Sequence, residues 1–331
     1  MGVIRSGRDD DAPAIIALIA ACWAEYPGCV MDVDGENPEL RALATHFDTL
    51  GGALWVAIQD NALVGMIATR LEHGTIWEVC RCYVAQSARG TGLANALLRR
   101  AETHARDGGA TRLKLWTDTR FDRAHRFYER RGYVRDGGIK PLFDASNTID
   151  FGYAKPLTGL VVQKLDTAAT ASAARSLGRI LQACVEDGAS VSYLPPLPLQ
   201  TAEALYRRAA TDIAAGRRVL LAAWLDGTLT GSVMLDLAMP PNQPHRAEVQ
   251  KMLVDPAARR RGVARALMTA IEAEAAQARK TLLVLDTRQG DPSEILYRGQ
   301  GWNQVGVIPE FCVNADGTLS GTVLFYKKLA A

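Results

Sequence analysis

Short blocks of continuous or alternating apolar residues take turns along this chain with longer stretches whose apolar positions recur every three or four residues. The first pattern predicts strands and the second amphipathic helices. Val3 to Ser6 reads as a first strand, and Asp9 to Asp11 with Pro13 form an acidic start for the helix AIIALIAACWAEY. The acidic loop MDVDGENPE then leads to a second helix around Leu40 to Phe47. Strands ALWVAIQ, ALVGMIATRL and TIWEVCRCYV follow, the last entering a loop that opens a helix ending at Gly108 and Gly109. RLKLWTD, the helix RAHRFYERRGY and a strand near Ile149 to Tyr153 close this part.

After the polar, proline-containing segment Ala154 to Gly159, the same order restarts. LVVQKL is a strand, Asp166 a helix cap, and ATASAARSLGRILQACV a helix. The loop EDGASVSYLPPLPLQ and the helix TAEALYRRAATDIAAG come next, then strands RVLLAAWL, LTGSVMLDLAM and RAEVQKMLV. A second loop-to-helix junction, the strand TLLVLDT, the helix SEILYRGQGW and the strand GTVLFYKKL finish the chain. Single positions repeat as well. Glu78 stands eleven residues before Arg89, and Glu248 eleven before Arg259. Asp118-Thr119-Arg120 recurs as Asp286-Thr287-Arg288, and Tyr128 with Gly132 and Tyr133 recurs as Tyr297 with Gly301 and Trp302. Internal duplication explains this, with a mixed-sheet α/β (α+β) domain at 1–155 and another at 156–331.

Composition adds limits rather than direction. The 331 residues suffice for two cores, and a net charge of +2 gives no global reason to bind nucleic acid. No run of apolar residues is long enough for a membrane span, and the start MGVIRSGRDDD lacks the apolar core of a signal peptide. The six cysteines show no CxxC pairing, so a cytoplasmic protein with reduced thiols is expected. Cys80 and Cys82 share one strand face, but no histidine lies near them in sequence and no metal site is expected. The five histidines form no HExxH or triad-like pattern.

The candidate chemistry sits at the two strand-to-helix junctions, CYVAQSARGTGLANALLRRAE and QKMLVDPAARRRGVARALMTAIEAE. Free backbone N–H groups and the macrodipole at a helix start attract an anion, glycine admits it to the main chain, and arginine supplies bidentate charge. A Walker ending is missing and GxGxxG fails in both copies. What both satisfy is Arg-x-x-Gly-x-Ala, as Arg89, Gly92 and Ala94 and as Arg259, Gly262 and Ala264. In this both halves resemble the GNAT N-acetyltransferases. The resemblance implies two tandem acyl-CoA N-acyltransferase domains forming an intramolecular pseudo-dimer, within a monomer or dimer of chains. It also implies that the loops hold the pyrophosphate of acetyl-CoA. Gly90, Thr91 and Leu93 complete the first loop, and Arg260, Arg261 and Val263 the second. The strings VEDGASVSYLPPL, RAEVQKMLV, LLVLDTRQGD and NADGTLSGTVLFYKKL make the second half similar, more narrowly, to the tabtoxin-resistance-type acetyltransferases.

An alkyl amine of pKa about 10.4 must lose a proton before it can attack a thioester, at a cost of about 4–5 kcal/mol at pH 7. Glu78 and Glu248, each within an apolar strand, are the candidate bases, with burial expected to raise their pKa values. The resemblance adds Asp286 to that role and implies that Tyr128 and Tyr297 protonate the leaving thiolate. It places the donor for the carbonyl oxygen on the main chain at Cys82, Tyr83 and Val84, and at Met252, Leu253 and Val254. Other roles stand beside these: a solvated strand residue for Glu78, core packing for Tyr128, and a turn or cap for Asp286. Acceptor selection in this fold lies between the first two helices, where Asp32, Asp34 and Glu36 stand in the first half and Ser192 and Tyr193 in the second. The expected activity is acetyl transfer from acetyl-CoA to a small-molecule primary amine, without nucleic-acid or membrane partners. The alternative is one catalytic half with a non-catalytic acyl-CoA-binding or scaffolding partner half.

Overall fold

The computed structural model describes residues 2–329. They divide into two compact units, one of residues up to Tyr128 with Arg135–Thr158, the other of Glu129–Val134 with Gly159 onward.

In the first unit, β1 (Val3–Ser6) leads to α1 (Ala12–Trp23) and α2 (Leu43–Thr49), each entered through a short 3-10 turn. The strands β2 (Ala53–Gln59), β3 (Ala62–His73) and β4 (Ile76–Val84) follow, then α3 (Leu93–Asp107), β5 (Arg112–Asp118), α4 (Asp122–Glu129), β6 (Val134–Pro141) and β7 (Ile149–Pro156). They form a seven-stranded sheet in the order β1-β2-β3-β4-β5-β7-β6, in which β4 and β5 run parallel.

The second unit repeats this with β8 (Leu160–Lys164), α5 (Thr167–Glu186), α6 (Leu199–Ala214), β9 (Arg218–Leu225), β10 (Thr228–Asp236), β11 (Arg246–Val254), α7 (Val263–Gln277), β12 (Leu282–Arg288), α8 (Ser293–Gly299), β13 (Asn303–Val313) and β14 (Leu319–Lys328). Its sheet runs β13-β14-β12-β11-β10-β9-β8, again with one parallel pair, β11 and β12.

Strand β9 shows why such sheets must be covered on both sides. Leu220, Ala222 and Trp224 face the core beneath α5 and α6, while Val219, Leu221, Ala223 and Leu225 face the core beneath α7 and α8. A strand apolar at every position has no solvent face to offer. On α3 the buried positions are Leu93, Leu97, Leu98, Ala101 and Ala105, and on α7 they are Val263, Leu267, Met268, Ile271 and Ala275, with identical spacing. Both helices press on a strand glycine. A Cβ at Gly65 would lie 3.1 Å from Leu97, and one at Gly231 would lie 3.1 Å from Leu267. The junction helices are thereby held tight against the sheet.

Two edge strands, β6 and β13, were not evident from the pattern. VRDGGIKP and NQVGVIPEFCV are broken by glycine and proline, which an edge strand tolerates because one side of its backbone needs no partner. The expected linker is also shorter. Ala154, Lys155 and Pro156 belong to β7 and pair with Lys114, Leu113 and Arg112, leaving only Leu157 to Gly159 between strands. Lys155, polar in sequence, is buried at 4% exposure and ion-paired with Glu102 at 2.7 Å. The last helix of each unit stops earlier than expected, at Glu129 and Gly299. Among the described residues, no helix is long and apolar enough to cross a membrane.

Candidate functional site

In β11 the ladder to β10 slips between Ser232↔Leu253 and Met234↔Gln250, so that Lys251 and Met252 together oppose Val233. Lys251 takes φ 51° at this bulge. A left-handed conformation costs a residue with a Cβ roughly 1–2 kcal/mol, and the same strain recurs at Arg81, φ 51°, where β4 slips against β3. Beyond each bulge the central parallel pair separates. Its register runs from Arg246↔Leu282 to Glu248↔Val284 in the second unit and from Ile76↔Arg112 to Val79↔Leu115 in the first. The main-chain edge of residues 250–254 that would have faced β12 is left without a strand partner, available for a ligand.

That opening is the floor of a cleft of about 1350 Å³. Its lining brings together Glu248, Met252, Leu253 and Val254 from β11, Arg259, Arg260, Gly262, Val263 and Ala264 from the loop and start of α7, Asp286 from β12 and Tyr297 from α8. Ser192 and Tyr193, from the α5–α6 connection, close one side. Gly262, φ 84°, caps α7 in the left-handed conformation, and a Cβ there would find only Leu160, at 3.9 Å. The space over the helix start is open to an anion. Arg260, φ 63°, occupies the place that Gly90, φ 79°, has in the first loop. Arg261 does not line the cleft; it pairs with Asp226 at 3.2 Å.

The side chains with candidate chemistry have distinct surroundings. Glu248, expected to be buried, is half-buried and accepts a hydrogen bond from Gln250 Nε2 at 3.0 Å. Asp286 is exposed and accepts from Thr322 Oγ1 at 2.8 Å. Tyr297 is buried, its ring packed on Trp302 and Phe325 at centroid distances of 6.1 and 5.8 Å. Burial first, then the negative charges of Asp286 and Asp291, push its phenol well above the usual range. It therefore keeps its proton at neutral pH. Arg259 is ion-paired with Asp187, just past the end of α5.

The first unit places the equivalent residues differently. Glu78 lies opposite Arg70 across β3 and β4, and both Arg70 Nε and Nη2 donate to its Oε2, at 2.9 and 2.6 Å. In the second unit the residue opposite Glu248 is Asp236. Arg89 is bidentate to Glu25, at 2.6 and 2.7 Å, and its Nε donates to the Val84 carbonyl. Tyr128 is buried and bonded to Cys82, whose thiol is pushed up to about 11 by burial. Tyr83 accepts a hydrogen bond from Trp23 Nε1 at 3.0 Å. Gly92, φ 89°, caps α3, and Gly90, Thr91, Leu93 and Ala94 complete this turn. Of the acids expected to draw a cationic acceptor, Asp32 takes the Gly35 N–H, Asp34 pairs with Arg41, and Glu36 takes the Ala145 N–H.

The sequence reading missed Lys251, which lines the cleft with its Nζ 3.0 Å from Ser192 Oγ. The available signal was its place three residues after Glu248, matching Arg81 after Glu78. Phe311 and Cys312, from the unforeseen edge strand, also line the cleft.

The family model described as "Acetyltransferase (GNAT) family" matches this chain twice, at residues 15–133 and 184–302. Over 135 residues the chain is 35% identical to an aminoalkylphosphonate N-acetyltransferase of Salmonella typhimurium, spanning 39% of this chain and 83% of that one. Over 83 residues it is 34% identical to an acetyltransferase of Agrobacterium fabrum, spanning 25% of this chain and 58% of that one. Among solved structures, an N-acetyltransferase from Staphylococcus aureus Mu50 aligns with a TM-score of 0.45 at 15% identity, over 52% of this chain and all (100%) of that one. The yncA protein of Salmonella typhimurium, solved with its cofactor acetyl-CoA, aligns at 0.44 and 18%, over 52% and 95%.

Proposed function

The chain belongs to the GNAT acetyltransferase family, and from that premise we propose that it transfers the acetyl group of acetyl-CoA to a primary amine of a small molecule, by direct attack in a ternary complex. The observation that carries this reading is the cleft of the second unit, where Glu248, Asp286, Tyr297 and the Arg259–Ala264 turn share one opening in a split sheet. The small-molecule acceptor is supported by the relative that acts on aminoalkylphosphonates. Within the family, the strings quoted above favour the tabtoxin-resistance-type group for the second unit.

Acetyl-CoA is the acyl-donor substrate. Arg259, Arg260 and the main chain at Gly262 to Ala264 would hold its pyrophosphate, a role suited to the open space over Gly262. Those main-chain N–H groups of Met252 to Val254 that point away from β10, unclaimed by β12, would donate to the carbonyl oxygen as it gains charge. Glu248, with Asp286 beside it, takes the proton released as the amine becomes a nucleophile, directly or through a water. The new C–N bond forms as the C–S bond breaks, and Tyr297 gives its proton to the departing sulfur.

The first unit is assigned the same donor but a weaker transfer site. Its carboxylate Glu78 is held by Arg70, whereas the residue opposite Glu248 is an acid, Asp236. We therefore assign turnover to the second unit first. The test is Glu248→Gln in the full chain, followed by CoA release and by calorimetry with acetyl-CoA. The expected result is a kcat lowered by roughly 10² or more with acetyl-CoA affinity nearly unchanged. An unaltered kcat removes Glu248 from the chemistry.

A further inference from the structure

Lys251 lines the cleft, and acetyl transfer as described leaves it without work. Its side chain is half-buried, and among the described residues no carboxylate lies within ion-pair distance of it. Its hydrogen-bonding contact is with a neutral hydroxyl, Ser192. The equivalent Arg81 of the first unit is satisfied, ion-paired to Glu39 and bonded to Asn37 at 3.2 Å. In the second unit the acids at the end of the first helix are already engaged. Glu186 accepts the Leu197 N–H at 3.1 Å, and Asp187 is paired with Arg259. Glu248 and Asp286 line the same cleft. Lys251 thus shares the cleft with two carboxylates whose charges favour its ammonium form but which make no ion pair with it.

A half-buried ammonium bonded to a hydroxyl rather than ion-paired is costly, and the cost is recovered when a ligand supplies an anion in direct contact. We propose that the acceptor of the second unit is a small zwitterion, an amine carrying a carboxylate or phosphonate, whose anionic group is received by Lys251 and Ser192 while its ammonium faces Glu248 and Asp286. This rests on the assignment of acetyl transfer to that cleft and specifies its acceptor class. Burial depresses the Lys251 pKa, with the charge of Arg218 adding to it and those of Asp286 and Glu248 relieving it in part, and a bound anion against the ammonium relieves the remaining cost.

The test uses the full chain with four acceptors: glycine, aminomethylphosphonate, glycinamide and methylamine. The wild type is expected to prefer the anion-bearing pair by about 10- to 100-fold in kcat/KM. Glycinamide has the less basic amine, so a lead for glycine cannot arise from intrinsic reactivity. Lys251→Met should bring the ratio toward one, and Lys251→Arg should retain most of it. Glycine against aminomethylphosphonate identifies which anion fits. A neutral amine used equally well, or a ratio unmoved by Lys251→Met, overturns the proposal. Calorimetry of the same compounds on the CoA-loaded chain separates it from the transfer reading. Binding of the zwitterions that depends on Lys251 without CoA release keeps this proposal and sinks acetyl transfer. Binding of none of them overturns the proposal itself.

Discussion

In each unit the arginine proposed to hold the pyrophosphate is engaged by an acid that follows the first helix, Asp187 for Arg259 and Glu25 for Arg89. On that proposal acetyl-CoA competes with the acid. The Arg259–Asp187 pair has side chains 45% and 46% exposed, and exposed pairs contribute about 0.2–1 kcal/mol. Relieving it by Asp187→Ala should therefore tighten acetyl-CoA about 1.5- to 5-fold, on the scale of tenfold per 1.4 kcal/mol. Glu25 holds Arg89 through two bonds at a quarter exposure and also meets Arg123 at 3.2 Å, so Glu25→Ala should give the larger gain. Isothermal calorimetry of acetyl-CoA on each full-length variant reads this directly. Repeating it at high salt should shrink the ratio to wild type, because exposed charges are screened. Weaker binding in Asp187→Ala would refute the reasoning. The acid would then be orienting the guanidinium for the ligand rather than competing with it.

Tyr297→Phe keeps the ring against Trp302 and Phe325 and removes the hydroxyl alone; kcat should fall by about 10² with little change in melting temperature. A lowered Tm with unchanged kcat would make Tyr297 a packing residue. Asp150 gives a pH prediction. Burial, reinforced by the charge of Asp118 opposite it, pushes its carboxyl up to about 6 against the partial relief of Lys140 and Arg120. Because the folded state then holds this proton more tightly than the unfolded chain, stability falls as pH rises from about 4 to about 6 and is level above. Discounted for a side chain that is half-exposed, the effect is about 1 kcal/mol. Asp150→Asn should thus raise Tm by roughly 2–4 °C at pH 7.5 and leave it unchanged near pH 3.5, by calorimetric or fluorescence melting. An equal gain at both values would remove titration as the cause.

The elements that bury a regular face were legible in the sequence. β2, β5, β9 and β11 were placed to the residue, because β2 and β9 are apolar runs, β5 alternates, and β11 repeats the order of β4. The two edge strands were not, since half of such a strand's environment is solvent and leaves no apolar signature. The Arg-x-x-Gly-x-Ala turns could be found because they lie within a few residues of sequence, occur twice, and carry glycine where the helix cap is left-handed. Lys251 and the acids at Asp187 and Glu25 could not be. Their significance depends on partners from distant segments, Ser192, Arg259 and Arg89, and on which charges end up compensated. The same is true of Glu78, whose pairing with Arg70 is a matter of strand register rather than of local pattern.

The bulge in β11 changes the parity of the strand. In a plain strand, residues three apart point to opposite faces, so Glu248 and Lys251 could never look into one cleft. The extra residue at Lys251 and Met252 against Val233 resets the count, and a base and a cation at odd spacing come to share an opening. A one-residue deletion there would shorten the strand by only about 3.3 Å. It would also turn every side chain on one flank to the other side of the sheet. The site is therefore written in the odd or even count of the chain as much as in the identity of its residues.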